Sequence, residues 1–246
     1  MAQNRRFFEL TIVEFDADAM VTLIHFVLDP FSRRMRLALA EYGEACELIA
    51  ETPWSPTQEL VALNPAGTLP VLLESGGEAI CGVEAIGEYL EETRGEKVEL
   101  LPGQSKERAE IRRLVGWFDT KFYAEVSEPL ITEKMIRRYL PAENGGGAPA
   151  MARVRQALQA LRGHLDYVGH LVDRRTWLAG EHLSLADLAA AAHISVVDFL
   201  TEIPWTDYPA AKGWYQRIKS RPSFRPLLSD TVRGVTPPPG YGDLDF

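Results

Sequence analysis

The chain has 246 residues, 46% apolar and 25% charged, with a formal net charge of -9; this is the composition of a folded protein with room for one large core or two modest ones. The acidic balance argues against nonspecific binding to nucleic acid, whose phosphates call for a clear excess of Lys and Arg. No apolar run approaches the roughly 20 residues that cross a bilayer, and the start Met1-Ala2-Gln3-Asn4-Arg5-Arg6 lacks the apolar segment of a signal peptide, so a cytoplasmic protein without membrane insertion is expected.

Residues 1–20 read as an N-terminal extension; within it, Phe7 to Val13 could form a strand but finds no neighbour in the pattern that follows. The run Val21 to Val27 is short, rich in β-branched residues and almost wholly apolar, as a buried parallel strand would be. Pro30 and Ser32 open a helix from Arg33 to Tyr42, with Met35, Leu37, Ala38 and Leu39 as its apolar face and Gly43 as its end. Cys46 to Ala50 forms a second strand, and Trp54 to Leu63 a loop with one short helix. After the turn Asn64-Pro65-Ala66-Gly67, Pro70 stands at a strand entrance, where a missing amide donor is tolerated. Glu78 to Cys81 supplies a hairpin partner, and Val83 to Thr93 carries Ile86, Tyr89 and Leu90 at helical spacing. This order, βαβ then ββα over residues 21–94, is thioredoxin-like. Cys46 and Cys81 lie in strands without metal-ligand or redox-motif spacing, which favours buried thiols over a disulfide.

Residues 95–104 are polar and turn-rich, a linker between domains. From 105 to 229 the period is helical throughout: Ile111, Leu114, Val115 and Phe118 mark one helix, and Val154, Leu158, Leu161, Leu165 and Val168 another. Ser184 and Asp187 form a capping-box variant at the head of an Ala-rich helix that must pack on all sides. The arginines come in clusters, Arg33 with Arg34 and Arg36, Arg112 with Arg113, Arg137 with Arg138, Arg153 with Arg155, and Arg174 with Arg175. Each cluster reads either as a local basic patch or as a solvated helix face. The five histidines show no ligand spacing, and neither a metal nor a cofactor is expected.

The pieces Asp29-Pro30-Phe31-Ser32-Arg33, Asn64 to Pro70, Ala85-Ile86 with Tyr89-Leu90, Ser184 with Asp187, and Tyr208-Pro209 through Phe224 stand in an order that resembles the glutathione transferase superfamily over residues 21–228. The resemblance implies a thioredoxin-like α/β domain followed by an all-helical domain, with Pro70 cis and shaping the glutathione site. It also exposes two departures. Enzymes of the superfamily place Ser, Cys or Tyr near the glutathione sulfur, whereas here the position before Pro30 is Asp29, whose carboxylate would repel a forming thiolate. Ser32 is a substitute nucleophile partner, or else the cap of its helix. The superfamily's Glu-Ser pair, whose serine holds the γ-glutamyl carboxylate, is replaced by Gly82-Val83, and Val cannot donate that hydrogen bond. The catalytic positions Asp29, Ser32, Gly82 and Val83 thus look degenerate and Pro70 vestigial, so glutathione is not an expected ligand.

A retained fold with a lost site suggests binding in place of catalysis, and fold alone does not name the partner. The tail from 230 to 246 carries Pro237, Pro238 and Pro239, which exclude an α-helix, and ends Tyr241-Gly242-Asp243-Leu244-Asp245-Phe246. Read from composition, Tyr241, Leu244 and Phe246 either anchor in a partner's apolar groove, with Asp243 and Asp245 pairing to arginines, or belong to a frayed terminus. The combination of the Asp29 turn with this tail is similar to the glutathione-transferase-like division proteins of alphaproteobacteria. That resemblance implies a non-catalytic homodimer that binds FtsZ filaments at the division site and favours curved or bundled forms. It puts binding roles on the tail residues; Trp54, among Pro and Ser, is a second candidate as a surface anchor, with core or dimer packing the equal alternative, and Arg137, Arg138, Arg153 and Arg155 are weaker ones for a basic rim. The alternatives are an active glutathione-dependent transferase or isomerase of the same fold, and a scaffold for another partner.

Overall fold

The computed structural model describes residues 20–246; the stretch from 7 to 13 lies outside the described residues. Strand β1 (Val21–His25) is buried at every position because it is central: it pairs in parallel with β2 (Cys46–Ala50), Val21 opposite Cys46, and antiparallel with β3 (Val71–Leu73), Thr22 opposite Leu73. Strand β4 (Ala79–Cys81) completes the sheet in the order β2-β1-β3-β4. The edge strand β2 leaves Leu48 and Ile49 exposed, and both cysteines are free and half-buried, less enclosed than their strand positions suggest.

Helix α1 (Pro30–Tyr42) begins three residues earlier than its apolar pattern indicates, with Asp29 as cap, Pro30 in the first turn, and Gly43 in the left-handed region (φ 74°) closing it. Its arginines form neither a surface patch nor a solvated face. Arg33, Arg34 and Arg36 are all buried, because α1 is sandwiched between the sheet and the helical part of the chain and has almost no face left for water. On the other face of the sheet, Ile24, Val71 and Leu73 pack with Leu60 of α2 (Gln58–Leu63) in a small separate core. Helix α3 (Val83–Arg94) follows β4.

Residues 95–104 are not a solvated spacer. Leu100 and Leu101 are buried in the main core, and the Leu100 carbonyl accepts the amide of Leu185 at 2.8 Å. Helix α4 (Ser105–Gly116) runs without a break into a π-helical stretch (Trp117–Ser127) and then α5 (Glu128–Lys134). Phe118, Phe122 and Val126, four residues apart, stay on one buried face through that wider coil. Helix α6 (Met151–Val172) packs outside them, and α7 (Leu185–Leu200) is buried at all sixteen positions. The Ser184–Asp187 capping box is present at its start, and Asp187 also accepts from the amide of Leu178 and the indole of Trp214, each at 2.9 Å. Helices α8 (Pro209–Lys219) and α9 (Arg225–Leu228) close the bundle. One continuous core joins the sheet region to the helices, so the two parts share their apolar interior.

Candidate functional site

Two regions bear on function: the cleft where the sheet meets the helices, and the surface formed by the tail. In the cleft, Asp29 Oδ2 accepts from the Ser32 amide at 2.7 Å and the Ser32 hydroxyl at 2.6 Å. Asp29, not Ser32, is therefore the helix cap. Ser32 Oγ in turn accepts the amide of Phe26 at 3.3 Å, so both polar groups of this turn are spent on holding β1 to α1. Burial of the Asp29 carboxyl, partly offset by the Ser32 hydrogen bonds, pushes its pKa up to about 6.

Behind Asp29 lies a second internal network. Arg34 pairs with Asp119 and donates to the Val83 carbonyl at 3.0 Å. Asp119 also takes the His193 ring at 3.3 Å, and the other nitrogen of His193 meets Ser127 at 2.9 Å. Burial lowers the His193 pKa despite Asp119 beside it. The Phe31 ring fills the space next to Asp29, 4.8 Å from Tyr123 and edge-on to His193 at 5.6 Å. Gly82 (φ 90°) leads into α3 without a side-chain cap, and the Val83 side chain has no polar atom to offer. Leu69–Pro70 is cis. Asp29 is thus engaged as a helix cap with Ser32, and Arg34 and His193 meet on Asp119.

The tail is tied down along its length. Arg33 is fully buried and donates to the Val27 carbonyl (2.7 Å), Ser195 Oγ (2.8 Å), the Tyr241 hydroxyl (3.2 Å) and Asp230 (3.1 Å). Arg36 grips the same Asp230 with two hydrogen bonds, 2.8 and 2.9 Å. The Tyr241 hydroxyl donates onward to the Leu227 carbonyl at 3.0 Å, and its ring packs edge-on to Phe199 at 5.1 Å. Tyr241 is consequently an anchor inside this chain, buried to 3% exposure, not a group held out to a partner's groove. Phe246 is also turned inward. Its ring lies 4.2 Å from Lys219 Nζ and 5.3 Å from Trp205, and its carbonyl accepts from Gln216 at 3.3 Å. Lys219 is itself buried, which lowers its pKa, and pairs with Asp198 at 3.4 Å. Between these two anchors, Asp243, Leu244 and Asp245 are exposed. A short 3-10 turn, Pro239–Gly242, carries the chain into that loop.

Trp54 is half-buried between Phe26, edge-on at 5.4 Å, and Tyr139, stacked at 5.0 Å and 9°. Tyr139 escaped the sequence analysis; an aromatic after two arginines is a weak signal until a ring from another domain lies on it. Its hydroxyl donates to the Arg233 carbonyl, and Arg138 donates to the Gly234 carbonyl at 2.6 Å. These bonds gather Trp54, Arg138 and the beginning of the tail at one place. The rest of the arginine rim is engaged elsewhere: Arg153 bridges Glu128 and Glu133, each at 3.0 Å, and Arg137 lies 3.4 Å from the buried Glu133. Arg155 lines a cavity of about 580 Å³ with Leu158, Arg162, Pro204 and Tyr208 on the outer side of α6. Among the described residues no helix is long and apolar enough to cross a membrane, and no His, Cys, Asp and Glu cluster could hold a metal.

Two family models match the chain, the glutathione S-transferase N-terminal domain over residues 30–93 and its C-terminal domain over 128–222. The sequence is 48% identical to FtsZ-localized protein A of Caulobacter vibrioides over 228 residues, 92% of this chain and 98% of that one. The fold matches the crystal structure of a glutathione S-transferase from Sinorhizobium meliloti 1021 at TM-score 0.89 and 49% identity, covering 93% of this chain and all 100% of that one. It matches the structure of FzlA from C. crescentus at TM-score 0.88 and 47% identity, covering 93% and 100%.

Proposed function

The chain belongs to the glutathione S-transferase superfamily, and from that premise we propose that it is a non-catalytic member that binds FtsZ filaments and supports bacterial cell division. The observation that carries this reading is the similarity to FtsZ-localized protein A along nearly the whole of both chains. The cleft supports the non-catalytic part. A glutathione thiolate placed at the start of α1 would face the carboxylate of Asp29, ionised at neutral pH with its pKa about 6, and like charges at contact repel. The γ-glutamyl carboxylate would meet Val83, and a buried carboxylate without its donors costs on the order of 1 to 3 kcal/mol.

The partner-binding residues are Trp54, as a hydrophobic anchor, and the exposed loop Asp243-Leu244-Asp245, whose acidic groups choose a locally basic patch on the filament. Overall charge does not decide such a contact; local complementarity does. The protein works as a homodimer in the cytoplasm at the division site. Two copies of one weak site on a rigid dimer raise avidity and crosslink neighbouring filaments. Curvature follows where the bound dimer fits bent filaments better than straight ones, since only differential affinity moves a conformational equilibrium.

The test is GTP-dependent co-sedimentation with FtsZ from the same organism, wild type beside Asp243→Lys, which reverses an exposed charge without touching the core. Wild type is expected in the pellet and the variant in the supernatant. A folded wild type that stays in solution while being retained on immobilised glutathione would sink the filament reading and restore the transferase one.

A further inference from the structure

We infer that Tyr139 is a positioning residue of the partner-binding face: it holds Trp54 in place across the two domains and adds its own ring to the contact surface. The inference rests on the filament-binding reading above, in which Trp54 belongs to that face. Trp54 stands on the 51–57 loop, where Thr52, Pro53, Ser55 and Pro56 are exposed and local bonds, Thr52 Oγ1 to the Ser55 carbonyl (3.2 Å) and Thr57 Oγ1 to Glu51 (2.6 Å), fix the backbone but not the indole. An indole on such a loop samples several rotamers unless a neighbour selects one, and each rotamer frozen on binding costs affinity.

Phe26 touches Trp54 only edge-on. The flat stack of Tyr139, at 5.0 Å and 9°, is what sets the plane of the indole. Tyr139 is in turn fixed from behind. Its hydroxyl is bonded to the Arg233 carbonyl, in a turn closed by the Val232–Val235 bridge whose two valines pack on the main core. The order of support therefore runs from the core to the turn, from the turn to Tyr139, and from Tyr139 to Trp54. Since its hydroxyl is used internally, Tyr139 offers a partner only its ring, and it is 37% exposed. Arg137 and Arg138 precede that ring in sequence, and Arg138 is exposed; they disfavour a cation on it, so the side chain it suits is apolar.

The experiment compares full-length wild type, Trp54→Ala, Tyr139→Ala, the double variant and Tyr139→Phe by filament co-sedimentation over a range of FtsZ concentrations, each checked for an unchanged melting temperature. Tyr139→Ala is expected to weaken binding about tenfold, the scale of a central interface anchor. The double variant should be little worse than the poorer single one, because the two rings act as a unit, and Tyr139→Phe, which keeps the stack but loses the bond to the Arg233 carbonyl, should fall between wild type and Tyr139→Ala. Full binding by Tyr139→Ala, simple addition of the two alanine effects, or a Tyr139→Phe as weak as Tyr139→Ala would each overturn the inference while leaving the filament reading intact. Failure of wild type to pellet overturns both.

Discussion

The cleft and the tail of this protein both bury charged groups, and they use them in opposite ways. In the cleft, Asp29 is bonded to Ser32 and Arg34 to Asp119 with His193, so these polar groups serve as parts of the scaffold. In the tail, the inward side chains Asp230, Tyr241 and Phe246 serve as holdfasts, while Asp243 and Asp245 between and beside them remain in water. The difference lies in what the buried groups hold: in the cleft they tie one internal side chain to another, and in the tail buried arginines fasten the segment so that a few acidic residues stay outside.

Cutting the holdfast should have the largest effect. Arg33→Leu removes one cation from a buried cluster and leaves Tyr241, Ser195 and the Val27 carbonyl without it; breaking a buried pair costs about 3 to 5 kcal/mol, and the lower end is expected because Arg36 still grips Asp230. Urea unfolding should register the loss, and trypsin should cut after Arg233 much faster than in wild type. An unchanged digestion pattern would mean that the tail does not depend on Arg33.

The cleft answers to pH in a direction that can be worked out. Asp29 has a folded pKa of about 6 against an ordinary 3.8, so its contribution to stability is complete below about pH 4 and is lost as pH rises through about 6. Asp29→Asn keeps the cap acceptor and removes the ionisation. The variant should match wild type at pH 4 and exceed it at pH 7.5 by up to about 3 kcal/mol, the linkage value of that rise in pKa, read as a higher melting temperature at pH 7.5 only. His25, whose pKa burial lowers to about 4, slopes the opposite way in both proteins and cancels in the difference. A variant less stable than wild type at pH 7.5 would contradict the assignment.

The smallest effect is expected where charges pair in water. Arg112 binds Glu88 through two hydrogen bonds between α4 and α3, 2.9 and 3.0 Å, yet both side chains are about half exposed. Arg112→Ala should change stability by about 0.5 kcal/mol or less in urea unfolding. A loss as large as that of Arg33→Leu would show that burial is not what separates the two arginines.

Periodicity and punctuation were enough to place the four strands and the helix ends at Gly43 and Ser184, because each depends on residues close together in the chain. The same local signals misassigned the cap at Ser32, since a serine and an aspartate three residues apart can each cap, and only the direction in which Asp29 turns decides between them. They also left the α1 arginines as surface groups. Charge argues for exposure until the opposite side of the helix is known to be covered, and in α1 it is covered by α7. Tyr139 was invisible for a related reason: the ring it stacks on is 85 positions away in the sequence.

The amino-acid sequence by itself determined the class of fold and the order of its elements, which follow from hydrophobic period and capping chemistry read along the chain. The tertiary structure alone decided which charges are buried, that Tyr241 and Phe246 point inward while Asp243, Leu244 and Asp245 point out, and that Trp54 meets Tyr139. The physical reason is that burial and pairing depend on what the rest of the chain brings to a side chain, and for Arg33, Asp230 and Trp54 those neighbours come from elements far apart in sequence.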